Sequence, residues 1–405
     1  MSDGDGKMGG DRSQSLGSAV GAIGLLTAVF FVNFIARVIF SPLMPAMQAE
    51  LGLTHGQAGS LFLYISVGYC VTLLASGLVT ARLTHRWTII VSAVGVGLAL
   101  LVTGVSTGIW SLRLGLLLVG AAGGLYLPSA IASITTMLAA GDWGKGLGIH
   151  ELAPNLAFMA APLLTGVLSA WLDWRQVLLA LGTAGLLLAA FYARAGRGGE
   201  FCGRLPDHRA IAGLLSERSF WIMCILFSLG VGASIGVFSM LPLYLVHQHG
   251  YSQQGANFLV AMTRVSGLFM GFVGGLTADR LGARRALGYF MAATGVLTLG
   301  LGFARGSWLM ALIFLQPAVA VCFFAPAFTA ISQLFAPGVR NLAVSLVVSV
   351  AIVVGGGLLP ALTGYLAEMD YFGLGFALAG VLELAALLPL AALPGDRPPG
   401  NPPDR

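Results

Sequence analysis

Four charged side chains lie deep within long apolar runs: Arg37, Glu151, Arg264 and Glu383. A charge held in hydrocarbon costs roughly 3 kcal/mol or more, so such residues usually line a water-filled cavity. Arginine keeps its charge at any working pH and offers a planar fork of N–H donors that matches a carboxylate or a phosphate. Two arginines facing one cavity make a clamp for an anion. Glutamate supplies a complementary chemistry, loading and releasing a proton as its surroundings change. A static pair between Arg37 and Glu151 is the alternative use of the same charges.

The neighbours of these residues follow helical spacing. Asn33, Arg37 and Ser41 recur every four residues and share one helix face, and Asn257 shares a face with Arg264 seven residues on. Each arginine lies about 11 residues from the same end of its run, roughly 16 Å deep at 1.5 Å per residue. Glu151 and Asn155 share a face nearer the opposite end, while His150 points about 100° away from Glu151, so only one of the two need face a cavity. Tyr126 and Phe324 are aromatic residues in mid-run. The candidate substrate-binding set is therefore Arg37, Arg264, Asn33, Tyr126, Asn257 and Phe324, with Glu151 and His150 for proton coupling. Glu383, in the last run, reads as a protonated packing carboxyl.

The elements that carry these residues must be membrane helices. Of the 405 residues 57% are hydrophobic and 9% charged, and the mean hydropathy is +0.89. So few charges cannot cover a water-soluble surface, where about a quarter of residues are charged. A spanning helix needs about 20 apolar residues. Twelve such runs are legible: 19–47, 56–81, 87–106, 109–138, 143–171, 174–193, 219–246, 253–279, 285–304, 307–336, 341–368 and 371–393. The fold class is an all-α membrane protein of twelve transmembrane helices. The polar first 18 residues lead into a retained helix with no signal-peptide pattern.

The chain repeats itself at one offset, 198 residues. Gly52-Leu53-Thr54 corresponds to Gly250-Tyr251-Ser252, Ala81-Arg82-Leu83 to Asp279-Arg280-Leu281, Tyr126-Leu127-Pro128 to Phe324-Ala325-Pro326, and Pro162 with Gly166 to Pro360 with Gly364. Two pseudo-symmetric six-helix bundles follow, with a site between them near mid-membrane. The division expected is a tail at 1–18, a bundle at 19–193, a linker at 194–218, a bundle at 219–393 and a tail at 394–405. Arg37 and Arg264 break the repeat, since their counterparts are Ile235 and Ser66. Of the 21 Lys and Arg, only Arg113, Arg175 and Arg305 fall on the side away from the linker, and Arg37 and Arg264 lie within spans. The positive-inside bias puts both termini and the linker in the cytoplasm.

The loop after the eighth run contains Gly275, Asp279, Arg280, Gly282, Arg284 and Arg285. This resembles the Gly-x-x-x-Asp-Arg-x-Gly-x-Arg-Arg signature of the major facilitator superfamily, and the likeness covers nearly the whole chain. The first half retains Gly77 and Arg82 but has Ala81 and Thr84 in place of Asp and Gly. The resemblance implies that these loops latch the cytoplasmic side of an alternating-access carrier in the cell inner membrane. An arginine midway along the eighth helix binds a substrate carboxylate in monocarboxylate and oxalate exchangers of the superfamily, and Arg264 resembles it. Arg37 resembles the first-helix arginine of organophosphate and organic-anion members.

These features imply a secondary carrier, a monomer in the lipid bilayer, for a small organic anion such as a mono- or dicarboxylate. Coupling would be to protons or a counter-anion. The alternatives are an efflux antiporter for drugs or lipophilic compounds and a non-transporting membrane sensor. The sequence has no P-loop, metal cluster or nucleophile constellation, so no enzyme activity and no cofactor are expected. The basic residues form no stripe for nucleic acid.

Overall fold

A computed structural model describes residues 16–203 and 208–394. Among the described residues eleven helices are long and apolar enough to cross a membrane. They are α1 (Leu16–Leu51), α2 (His55–Arg82), α3 (His85–Gly104), α4 (Ile109–Met137), α5 (Trp143–Leu168), α6 (Trp174–Ala195), α7 (Arg218–His249), α8 (Gln253–Leu281), α10 (Gly306–Leu334), α11 (Gly338–Glu368) and α12 (Phe372–Ala391). Between α8 and α10 lies α9 (Ala283–Leu301), whose first turn holds Arg284 and Arg285 and so lowers its mean hydropathy. The twelve helices make the all-α membrane fold expected. The first starts three residues earlier than the apolar run suggests, at Leu16. The linker is not purely polar loop, because His208–Ser216 forms a short amphipathic helix.

Helix ends recur at the 198-residue offset. Gly52 and Gly250 end α1 and α7 in the left-handed conformation, with φ of 61° and 68°. Thr54 and Ser252 then cap α2 and α8, accepting from the N–H of Gln57 and of Gly255. A hydroxyl at the N-cap satisfies one of the donors that a helix start leaves orphaned. These turns, with those before α4, α6, α10 and α12, form one end of the bundle, here called the turn end. The opposite end carries the linker.

Proline places the interior breaks. Each proline lacks an N–H and frees the carbonyl four residues earlier. Pro42, Pro128, Pro154, Pro326 and Pro389 free the carbonyls of Val38, Gly124, His150, Cys322 and Ala385. The helices break at Ile39, Leu125, Glu151, Cys322–Phe323 and Ala386, each directly at or after the freed group. The break at Ser266 in α8 has no proline. There Gly267 follows, and the Ser266 hydroxyl donates to the Thr263 carbonyl, a local bond that competes with the helix. Most of these breaks flank candidate site residues: Arg37, Tyr126, Glu151, Arg264 and Phe324.

The first six and last six helices meet at the turn end. Ser41 Oγ on α1 donates to the Phe238 carbonyl on α7 at 2.7 Å, the group that Pro242 leaves free. Asn257 Nδ2 on α8 donates to the Pro42 carbonyl at 3.2 Å. Along the seam of α2 and α11, a Cβ on Gly59 would overlap the Pro360 carbonyl, and one on Gly364 would overlap that of His55. The two backbones therefore touch, which only small residues permit. Toward the linker end Glu151 is exposed, its side chain 57% accessible.

Candidate functional site

Arg264 lies at the junction of the two halves. Its guanidinium sits 4.8 Å from the ring of Phe158 on α5 and 4.6 Å from that of Phe238 on α7. The two rings meet edge to face at 4.9 Å. Arg264 is 6% exposed, Nη2 donates to the Ser234 carbonyl at 3.1 Å, and Nε has no partner. Arg37 on α1 lies over Phe34 at 4.6 Å and over Tyr69 of α2 at 4.3 Å, and its Nε also lacks a partner. Phe34 meets Phe158 edge to face at 5.1 Å. Two touching rings thus separate the arginines.

This arrangement balances charge without using up the donors. A ring face attracts a buried guanidinium by about 2 kcal/mol when desolvated. It accepts N–H bonds only weakly, and each buried unpaired donor costs about 1–3 kcal/mol. Among the described residues neither arginine joins an ion pair. Arg37 and Glu151 do not pair in this conformation. Glu383, 2% exposed in α12 with Oε2 unpartnered, pairs with neither arginine.

Of the polar residues expected around the arginines, Asn33 and Tyr126 are held within the first half, while Asn257 reaches across to Pro42. Asn33 Nδ2 donates to Ser92 Oγ and to the Gly123 carbonyl, while Oδ1 is unpartnered. Asn257 is fully buried, its Oδ1 unpartnered. Tyr126 is 0% exposed and does not line a surface in this conformation; its hydroxyl donates to the Leu26 carbonyl at 2.6 Å. Phe324, partly buried, packs on Phe323. The sequence did not single out Phe158, Phe238 or Tyr69. Only Phe34 left a signal, one turn before Arg37.

His150 and Glu151 part company at the helix break between them. His150 is fully buried, stacked on Phe30 with ring centroids 4.4 Å apart. Its Nε2 lies 3.1 Å from Tyr126 Oη and its Nδ1 lies 3.6 Å from Glu151 Oε1. Tyr126 spends its own proton on Leu26, so its oxygen can only accept, and Nε2 carries the N–H. The free position on the ring is then Nδ1, facing the exposed carboxylate.

The two signature loops differ in build. Gly282 has φ of 88°, which only glycine adopts at little cost. Asp279, Arg280 and Arg285 are exposed, and Arg284 donates to the Ala391 carbonyl. Gly275 is partly buried within α8. In the first half, Gly77 lies within α2 and Arg82 is exposed at its end. Thr84, where glycine belongs, instead caps α3 by accepting from the Trp87 N–H. It also pairs with Cys202 in an isolated bridge. The linker is strapped to this loop: Arg86 N donates to the Gly199 carbonyl, and its guanidinium pairs with Glu200 at 3.0 Å.

Comparison with known proteins agrees with this architecture. The sequence profile of the Major Facilitator Superfamily matches residues 26–304 and 252–405. The chain is 25% identical over 298 residues to a probable sulfoacetate transporter, SauU, of Cupriavidus necator, covering 69% of each chain. It is 24% identical over 303 residues to the multidrug resistance protein MdtG of Serratia proteamaculans, covering 69% of this chain and 70% of that one. A bacterial homologue of the human lysosomal transporter Spinster, solved inward-facing and occupied, superposes with a TM-score of 0.78 at 16% identity, over 94% of this chain and 96% of that one. A D-xylose–proton symporter gives 0.75 at 15% identity, over 94% and 98%. With twelve helices, six of them broken in mid-span, and with the family profile spanning nearly all of the chain, this multi-pass membrane protein belongs to the major facilitator superfamily and is a transporter rather than an enzyme.

Proposed function

We propose that the protein is a secondary active carrier of small organic anions, with Arg37 and Arg264 as the anion clamp. The observation that carries this reading is the pair of aromatic-faced arginines, one from each half, whose charges no carboxylate among the described residues cancels. A carboxylate or sulfonate arriving between the halves would satisfy donors that the rings leave open. Asn33 and Asn257 would serve such an anion through their amide N–H groups, and Phe324 and Tyr126 would line its path only after rearrangement, since Tyr126 is fully buried here. The likeness to a probable sulfoacetate transporter supports the same charge preference, since sulfoacetate is a small anion. The likeness to MdtG and the four ring faces favour the rival, an exporter of lipophilic drugs. Counterflow in proteoliposomes separates them. Labelled small carboxylates and sulfonates should accumulate against unlabelled anion, and accumulation of cationic drugs alone would overturn the anion reading.

In this reading the linker end and both termini face the cytoplasm of a cell whose inner membrane holds the carrier. The turn end is then the closed outer side. The bundles at 19–193 and 219–393 rock about the site, with the Asp279 loop latching the cytoplasmic side when it shuts. The coupling proton travels on Glu151 and His150 Nδ1, which face each other at 3.6 Å. Glu151→Gln keeps the shape and removes the titrating oxygen. Proton-driven uptake should fall about tenfold or more, the usual weight of a positioned acid–base group. Exchange of anion for anion should stay near wild type, because it moves no net proton. A full response to an inward proton gradient in this variant would place the proton elsewhere.

A further inference from the structure

The turn end carries a titratable cluster that the anion site does not use. His55 is the first residue of α2, and His247 lies in the last turn of α7. They come from opposite halves, and their rings meet edge to face with centroids 4.8 Å apart. The ring of Phe372, at the start of α12, lies 5.8 Å from His55. On its other side His55 Nδ1 is 2.9 Å from Gln48 Nε2, so the amide donates to it and the imidazole is neutral with its proton on Nε2. Beside this contact the Gly56 N–H, at the start of α2, donates to Glu368 Oε1 at the end of α11, 2.9 Å away and again across the halves.

We propose that His55 and His247 form a proton-binding site at the outer mouth, and that protons bound there release the contact between the two halves. Histidine is the side chain whose charge ordinarily changes between pH 5 and 8. Two imidazolium rings this close repel, and they lie on opposite sides of the surface that must part. Protonation also turns His55 Nδ1 from acceptor into donor, against the Gln48 amide that now donates to it. The groups that face the pair act in both directions. Glu368 and Asp370, from the end of α11, attract a charged His55 and oppose opening. Arg305, beside His249 of the same last turn of α7, adds positive charge and favours it. Glu50 is engaged by Arg175 at 3.0 Å and by Trp174 at 2.6 Å. Glu368 is likewise committed to the Gly56 N–H, and His249 packs on Tyr244 within its own half, which leaves the histidine pair as the element of the seam that changes with pH. The site is independent of which cargo the arginines hold.

The test uses the full chain in proteoliposomes, with spin labels on Thr107→Cys and Ser307→Cys, exposed turn-end positions of the two halves, and with exposed Cys202→Ser. Acidification from pH 7.5 to 5.5 should raise the ratio of long to short label distances by about tenfold, the equivalent of one unit of differential proton affinity. In His55→Gln with His247→Gln that dependence should vanish. The exposed single variant His247→Gln should reduce it and serves where the double variant loses its unfolding transition. Glu368→Gln should steepen it. Distances that ignore pH in the parent, that shorten on acidification, or that respond equally in the double variant overturn the proposal. Calorimetric anion affinity at pH 7.5 should be unchanged in His247→Gln, so that failure of the arginine site registers separately from failure of this one.

Discussion

Replacing Arg264 with alanine should abolish anion binding, weakening it by about a hundredfold or more. The estimate follows from the loss of two charge-assisted hydrogen bonds, each about 1.5–3 kcal/mol. Arg264→Lys should recover little of this, although it keeps the charge. An ammonium is a compact, strongly hydrated point donor, and it neither forks to a carboxylate nor lies flat between Phe158 and Phe238. Arg264 also bridges the closed turn end through those two rings. A loss of affinity from altered gating must be told from a loss of contacts. Phe158→Leu makes that distinction, since it removes a ring and keeps the guanidinium. Binding should survive Phe158→Leu to within about thirtyfold, because one desolvated ring face contributes about 2 kcal/mol. The measurement is titration calorimetry with a small carboxylate or sulfonate, alongside a thermal unfolding check of each variant. Wild-type affinity in Arg264→Ala would end the anion assignment and leave a major facilitator carrier of other cargo.

Gly59→Val should halt transport while leaving the protein folded. A Cβ at position 59 would overlap the Pro360 carbonyl, a backbone atom that cannot rotate away. The overlap exists only while α2 and α11 are closed at the turn end. In the opposite conformation the seam parts there, so the variant retains a state in which it fits. Overpacking costs typically 1–3 kcal/mol, and a valine pressed against backbone lies at the upper end. A shift of about 3 kcal/mol moves a two-state balance by roughly a hundredfold, enough to strand the carrier open. Anion exchange in proteoliposomes should fall accordingly, and the spin-label pair at Thr107→Cys and Ser307→Cys should report long distances at every pH. Gly59→Ala should show a smaller fall in the same direction. Exchange at wild-type rate in Gly59→Val would show that the working cycle never closes this seam.

The departure of the first signature loop from the family pattern has a structural outcome that spacing alone does not reveal. Thr84 adopts the extended conformation of an N-cap, where Gly282 adopts positive φ. With its backbone extended, the first loop can pair with Cys202 and take the linker as a partner. In the second loop Asp279, Arg280 and Arg285 are exposed, and Arg284 is tied to the Ala391 carbonyl instead. The same repeat position therefore serves two local structures, a threonine N-cap in one half and a positive-φ glycine in the other.

Local chemistry was legible in the sequence. Hydropathy located the spans because one helix must cross about 30 Å of hydrocarbon by itself. The 198-residue repeat paired Gly52 with Gly250 and Thr54 with Ser252, which the structure shows to be helix ends and caps. Five prolines coincide with breaks, where a missing N–H acts on the carbonyl four residues back, but Pro45, Pro162, Pro242 and Pro317 lie in unbroken helix, so a proline alone does not tell which. The burial of charge singled out Arg37 and Arg264 before any fold was known. Rotation of each helix about its axis was not legible. In a membrane, lipid and protein interior are both apolar, so the apolar stripe that orients a soluble helix gives little guidance. Hence Tyr126, a mid-span aromatic by sequence, turns inward to Leu26 and His150. Phe158 and Phe238, unremarkable by sequence, become the faces that hold Arg264. The meeting of His55 with His247, 192 positions apart in the chain, exists only because two bundles close on each other. The sequence alone determined which groups are costly to bury; the tertiary structure decided which surfaces share that cost, because partners across the halves are chosen by packing and not by spacing.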